Sequence, residues 1–130
     1  MLVNIYRTTD KLFNYTECEE LYNECNDRIK DGKFEDVISR TDFYSFYIAE
    51  TAELIGCIYF WKEKNGKRYV NAFAKRGHHD LNLDCFKESL TWYEGDIYAR
   101  CKQKPAILCI LRCGFKKVRK NLYKKEKNNG

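Results

Sequence analysis

The 130-residue chain combines 44% apolar and 15% aromatic residues with a single proline, which excludes a disordered tail or low-complexity linker. A chain of this length suits one domain that buries about two-thirds of its unfolded surface. Its formal charge of +5 hides an uneven split: residues 1–60 carry 6 basic and 12 acidic side chains, residues 61–130 carry 18 and 7. That asymmetry points to an anionic partner or to two poles of one molecule.

Met1–Arg7 has no basic region ahead of an apolar stretch and no small-residue cleavage site, so no signal peptide is expected. Leu2 to Arg7 alternates in the manner of a short first strand. Thr16 with Glu19 forms a capping-box pattern, and Cys18, Leu21, Tyr22, Cys25 and Ile29 share one face of a helix ending at Asp31-Gly32. Asp42–Glu50 and Glu53–Trp61, joined by Thr51-Ala52, read as a hairpin whose second arm is apolar enough to be buried on both faces. Asn65-Gly66 then turns the chain into a third arm, Arg68–Ala74. Leu83, Phe86, Leu90 and Tyr93 predict a second helix stopping at Gly95, followed by a strand over Asp96–Cys101. Pro105 to Cys113, with Gly114 just beyond, has the punctuation of a third helix. Phe115–Tyr123 is the last predicted strand, and Lys124–Gly130 reads as a polar basic tail. The expectation is one α/β domain over residues 1–123, ordered β-α-β-β-β-α-β-α-β, with six strands and three helices.

The most apolar run, Ala106–Leu111, is a third of the ~18 residues a membrane span needs, so a soluble protein without membrane contact is expected. The seven cysteines are odd in number and sit among apolar residues. They read as reduced thiols packed as small hydrophobes. Cys109 and Cys113, one helical turn apart, read as core beside Ile107, Leu108, Ile110 and Leu111, with a metal half-site as the sharper alternative. Cys101 is the thiol to test as a nucleophile, although no activating group accompanies it. His78-His79-Asp80 reads as a polar loop at a helix start, with metal ligation or base chemistry as the alternative. Glu50 is a further base candidate. The run Lys116, Lys117, Arg119, Lys120, Lys124, Lys125 and Lys127 suits either nonspecific nucleic-acid or acidic-protein contact, or a solvated edge strand. Nine aromatic residues (Phe43, Tyr44, Phe46, Tyr47, Tyr59, Phe60, Trp61, Tyr69 and Phe73) exceed the need of one sheet face, so some are expected to be exposed at an interface.

This order resembles the GNAT N-acetyltransferase fold. Tyr47-Ile48-Ala49-Glu50 to Ile55-Gly56-Cys57-Ile58 is similar to the family's second and third strands, and Ala106 to Gly114-Phe115 to its last helix with the closing Gly-Phe pair. The resemblance implies a mixed central sheet and an acyl-CoA loop at Lys75-Arg76-Gly77-His78-His79-Asp80. Under it Ala74, Arg76, Gly77 and His79 would contact acetyl-CoA through strand and loop backbone. The loop departs from the family pattern where His79 replaces a second small residue beside Asp80. Ile110 stands where the family often has a general-acid tyrosine, and Gln103 where it often has asparagine. The chain also resembles small GNAT-like proteins of short-tailed bacteriophages, internal virion proteins among them, with a similarly worn loop and an aliphatic residue for that tyrosine. That implies a non-catalytic structural module in a virion or host cytoplasm, using no cofactor and docking other virion proteins through Lys116, Lys117, Arg119 and Lys120. The alternatives are an acetyl-CoA-dependent N-acyltransferase and a nonspecific nucleic-acid-binding protein.

Overall fold

The structure is a computed structural model and describes residues 2–25 and 31–126. Its centre is the apolar run Leu54–Phe60, buried throughout, in strand β3 (Glu53–Lys62). A strand buried on both faces needs cover on each side, and helices supply it. In chain order, β1 is Val3–Arg7, α1 is Tyr15–Glu24, α2 is Phe34–Arg40 and β2 is Asp42–Ile48. After β3 come β4 (Arg68–Ala74), α3 (His79–Ser89), β5 (Ile97–Arg100), α4 (Lys104–Arg112), β6 (Lys116–Arg119) and β7 (Leu122–Lys125). The sheet runs β1-β2-β3-β4-β5-β7-β6, antiparallel except where β4 meets β5.

Alternation along the strands divides the core into two layers. Phe46, Ile58, Phe60, Val70, Ile97 and Tyr123 pack with Cys85, Phe86 and Leu90 of the α3 region. On the other face Phe43, Tyr59 and Phe73 pack with Leu21 and Tyr22 of α1 and Phe34 and Val37 of α2. Eight of the nine singled-out aromatics are buried and Trp61 is half-buried, so these nine are core and not the exposed set expected from sequence.

The described residues hold seven strands and four helices, against six and three expected. The additional helix, α2, is seven residues long and buries only Phe34 and Val37. The expected last strand is broken at Lys120-Asn121, where Asn121 takes a left-handed φ of 65° and folds β6 back on β7. β7 runs on through Lys124 and Lys125, so the ordered sheet extends past residue 123. α1 is capped by Asn14, whose side chain accepts the Glu17 N–H at 3.0 Å, so Thr16 is not the cap. Ile29, assigned to this helix from sequence, lies outside the described residues, as does Lys127. α3 ends at Ser89, before Tyr93. Cys18, Cys57, Cys85, Cys101, Cys109 and Cys113 are free thiols. No helix among the described residues is long and apolar enough to cross a membrane.

Candidate functional site

The parallel pair β4 and β5 touches only briefly. Arg68 pairs with Ile97 and Tyr69 with Tyr98, and there the ladder stops. Beyond it, β4 continues to Ala74 against β3, and β5 continues to Arg100 against β7. From Val70 to Ala74 the β5-side edge of β4 therefore has no strand partner among the described residues. The two strands form a fork, lined on the α3 and α4 side by the small residues Ala72 and Ala74.

A joint built on one carbonyl holds the end of β4. The register between β2 and β3 shifts between Phe46 and Tyr47, leaving Ile55 outside the pairing. Such a bulge frees a backbone group for other work. Ile55 O accepts the Lys75 N–H at 2.8 Å and the Asn82 Nδ2 of α3 at 3.0 Å. Strand end and helix start are thus tied to the same atom. Asn82 approaches so closely that a Cβ on Gly56 would collide with its Oδ1, so glycine is required.

Between strand and helix, Gly77 adopts φ +96°, which only glycine takes without strain, with open space where a Cβ would sit. His78 is the N-cap of α3 but makes no capping hydrogen bond, so the first helix N–H groups stay available. The adjacent histidines serve different partners. His78 Nε2 lies 3.1 Å from Glu53 Oε2, and Arg112 of α4 donates to His79 Nε2 at 3.2 Å. They do not converge, and no cluster of three metal-ligating side chains occurs among the described residues. Glu53 also accepts Lys75 Nζ at 3.2 Å. The Lys75 and His78 hydrogen bonds hold its carboxyl below the usual range. Asp80 is exposed in the first turn of α3.

On the α1 and α2 face of the fork, Asp31 Oδ2 accepts Tyr59 OH at 2.6 Å and Asn71 Nδ2 at 2.7 Å. Burial, reinforced by Asp31, pushes the Tyr59 hydroxyl well above the ordinary tyrosine range, so it remains a donor. Across the opening, Arg100 grips Glu63 with both terminal nitrogens, at 2.6 and 2.7 Å. On the α4 side Ile110 is half-buried against the core, and Gln103 is the N-cap of α4 without a capping bond. Burial raises the Cys101 thiol to about 11, which argues against an activated nucleophile. Cys113 is buried and Cys109 half-buried, but Leu108 and Leu111 are exposed, so α4 offers solvent an apolar side that the core reading did not anticipate.

Ala74, Arg76, Gly77 and His79 gather at the end of β4 and the start of α3. Glu50 stands apart in the exposed β2–β3 turn, without a hydrogen bond or ion pair among the described residues. Lys116, Lys117 and Arg119 lie exposed along β6, the sheet edge, with Lys120 in the following turn. Sequence reasoning missed Asp31, Asn82 and Arg112. Gly56 carried a legible signal, since an isolated glycine inside a strand marks a bulge or a close approach.

The whole described architecture recurs in solved structures. An N-acetyltransferase from Staphylococcus aureus Mu50 superposes with a TM-score of 0.73 at 11% identity, covering 97% of this chain and 98% of that one. The ribosomal-protein-S5-alanine acetyltransferase of Vibrio fischeri gives 0.73 at 8% identity, over 98% and 93%. A Bacillus subtilis acetyltransferase in complex with CoA gives 0.64 at 13%, over 98% and 100%. The chain has the GNAT acetyltransferase fold. No family model and no curated protein matches the sequence, so the likeness is one of fold.

Proposed function

We propose that the chain is an acyl-CoA-dependent N-acyltransferase. One observation carries the reading: the unpaired β4 edge from Val70 to Ala74 leads to Gly77 and the uncapped N-terminus of α3. An extended amide arm completes such an edge as an added strand does. The free N–H groups of a helix start, approached over a glycine, suit a pyrophosphate. Ala74 and Gly77 keep the backbone accessible, His79 begins the helix, and Arg76 and Arg112 add positive charge, which Asp80 partly offsets. GNAT neighbours of similar length, one solved with CoA, support this reading.

When bound, acyl-CoA supplies an acyl group on a thioester. The chain's own residues would orient it along β4 and hold its phosphates at the α3 start. Ile110 has no proton to donate, so this position supplies no placed acid, a loss on the order of 100-fold in rate.

Ile110 and Asp80 favour a second reading, a non-catalytic module docking other proteins of a larger assembly such as a virion. Its contact edge would be Lys116, Lys117, Arg119 and Lys120, which would also serve nonspecific nucleic-acid binding. Calorimetry with acetyl-CoA separates the readings. Micromolar binding is expected, weakened about tenfold or more by Gly77→Glu and by Arg76→Glu, the latter at an exposed position where folding is not at risk. A wild-type chain that binds no acetyl-CoA overturns the transferase reading and leaves the module.

A further inference from the structure

We infer that the start of β4, the end away from the fork, belongs to a second site that binds a short polyphosphate chain through Arg40, Lys62 and Arg68. A cavity of about 440 Å³ opens there, between the C-terminal end of α2, the start of β2 and the adjoining ends of β3 and β4. That volume falls within the range of small-molecule sites. Lys62 and Arg68 stand directly opposite each other across the β3–β4 ladder. Like charges so placed destabilise a sheet, and an anion beside them offsets the repulsion. Arg68 is also set in place. Its Cζ lies 4.2 Å from the centre of the Tyr93 ring, and its Nε is buried with no hydrogen-bond partner among the described residues.

The lining selects the ligand by what is already committed. Ser39 Oγ donates to Asp36 O at 3.1 Å, Thr41 Oγ1 to Val37 O at 2.7 Å and Trp61 Nε1 to Glu63 Oε2 at 3.2 Å. The neutral donors of the wall are therefore spent. No hydrogen bond or ion pair among the described residues engages the side chains of Arg40, Lys62 or Arg68. The one carboxylate of the lining, Asp42, accepts Tyr93 OH at 3.1 Å, which leaves three cations against one anion. Arg7, 5.2 Å from the centre of the Tyr44 ring whose hydroxyl meets that of Tyr93, adds a further cation nearby. Such a wall repels a cation and offers a neutral ligand no free donor. Guanidinium and ammonium groups suit phosphate oxygens, and more than one negative charge is needed to balance the excess.

The site goes beyond the transferase reading and does not rest on it. Arg68 opens β4 and Ala74 ends it, which puts about 20 Å between this cavity and the approach to the α3 start. The probe is tripolyphosphate, titrated at constant ionic strength into the full chain and followed by NMR. The Trp61 indole N–H, in the wall, reports this cavity, and the Gly77 backbone N–H reports the α3 start. The indole signal is expected to shift saturably. ATP, which carries the same chain on a nucleoside, is the second probe: tighter binding of ATP assigns the phosphates to a nucleotide, and tighter binding of tripolyphosphate to a free chain. Arg40 and Lys62 are exposed, so replacing both with glutamine leaves the fold intact and should weaken binding about tenfold. Arg76→Glu, near the α3 start, should leave the indole response unchanged. No indole shift, an Arg40→Gln, Lys62→Gln double variant that binds as tightly as wild type, or loss of the indole response in Arg76→Glu each overturns the inference.

Discussion

Substituting Gly56 with alanine should damage the fold through the joint between β3 and α3. The added Cβ would collide with Asn82 Oδ1 and stand 3.2 Å from both Asn82 Cγ and Phe73 O. Phe73 O belongs to the backbone of β4 and has little room to retreat, so Asn82 must move. Asn82 is 2% exposed and donates to Ile55 O at 3.0 Å, and moving it breaks that bond. A lost buried hydrogen bond costs about 1 kcal/mol, and an extra methyl forced into a packed site about 1–3 kcal/mol, giving about 2–4 kcal/mol. At this chain length each kcal/mol is worth about 4 °C, so thermal unfolding followed by circular dichroism should shift down by about 8–16 °C. Asn82→Ala alone should cost about 1 kcal/mol or less, because it removes the bond to Ile55 but also removes Oδ1, a buried atom without a partner. Combined with Gly56→Ala it takes away the obstacle, so the double variant should be more stable than the sum of the single effects by about 1 kcal/mol or more. A Gly56→Ala variant within about 2 °C of wild type, or strict additivity in the cycle, would refute the reasoning.

Three further outcomes follow from local contacts. Glu53, held low by Lys75 and His78, should stabilise the fold above the ordinary glutamate range and lose that contribution as pH falls through its depressed value. NMR titration should show its carboxyl moving back up in Lys75→Ala. Cys109 should be the first thiol alkylated by iodoacetamide, since the Cys113 hydrogen bond and then Arg112 favour its thiolate, and Cys109→Ser should remove the fast phase. Replacing both Lys116 and Lys117 with valine should make an apolar open edge of β6, giving concentration-dependent oligomers on size-exclusion chromatography. A monomer at all concentrations would show that these lysines do not guard the edge.

How much of this was readable from the residues depended on whether the signal was local. β4 was legible to the residue, because Asn65-Gly66 set its start and alternation carried it to Ala74. α2 was not, since two helical turns show too little periodicity to separate Phe34 and Val37 from a loop. The β6–β7 turn hid inside a lysine run, where Asn121 supplies the left-handed residue without a neighbouring glycine. The α3 start and Gly77 were legible as a loop entering a helix. The fork was not, because it consists of pairing that stops after Tyr69, and no residue announces where two strands separate. Asp31 was invisible for a related reason. Its partners Tyr59 and Asn71 lie 28 and 40 residues away and meet it only after the sheet has formed.

The uneven charge of the chain gains a local meaning at this fork. Past the end of β4, Arg76 and Arg112 outweigh Asp80 around the α3 start, a setting for an anion. On the α1 and α2 face, Asp31 is tied to Tyr59 and Asn71, and Arg100 to Glu63. If the cleft receives a polyanionic coenzyme, the positive surround of the α3 start draws it there. Exposed charge of this kind is screened within about 8 Å at physiological ionic strength. Added salt should therefore weaken acetyl-CoA binding, whereas an affinity built on apolar contact alone would not fall.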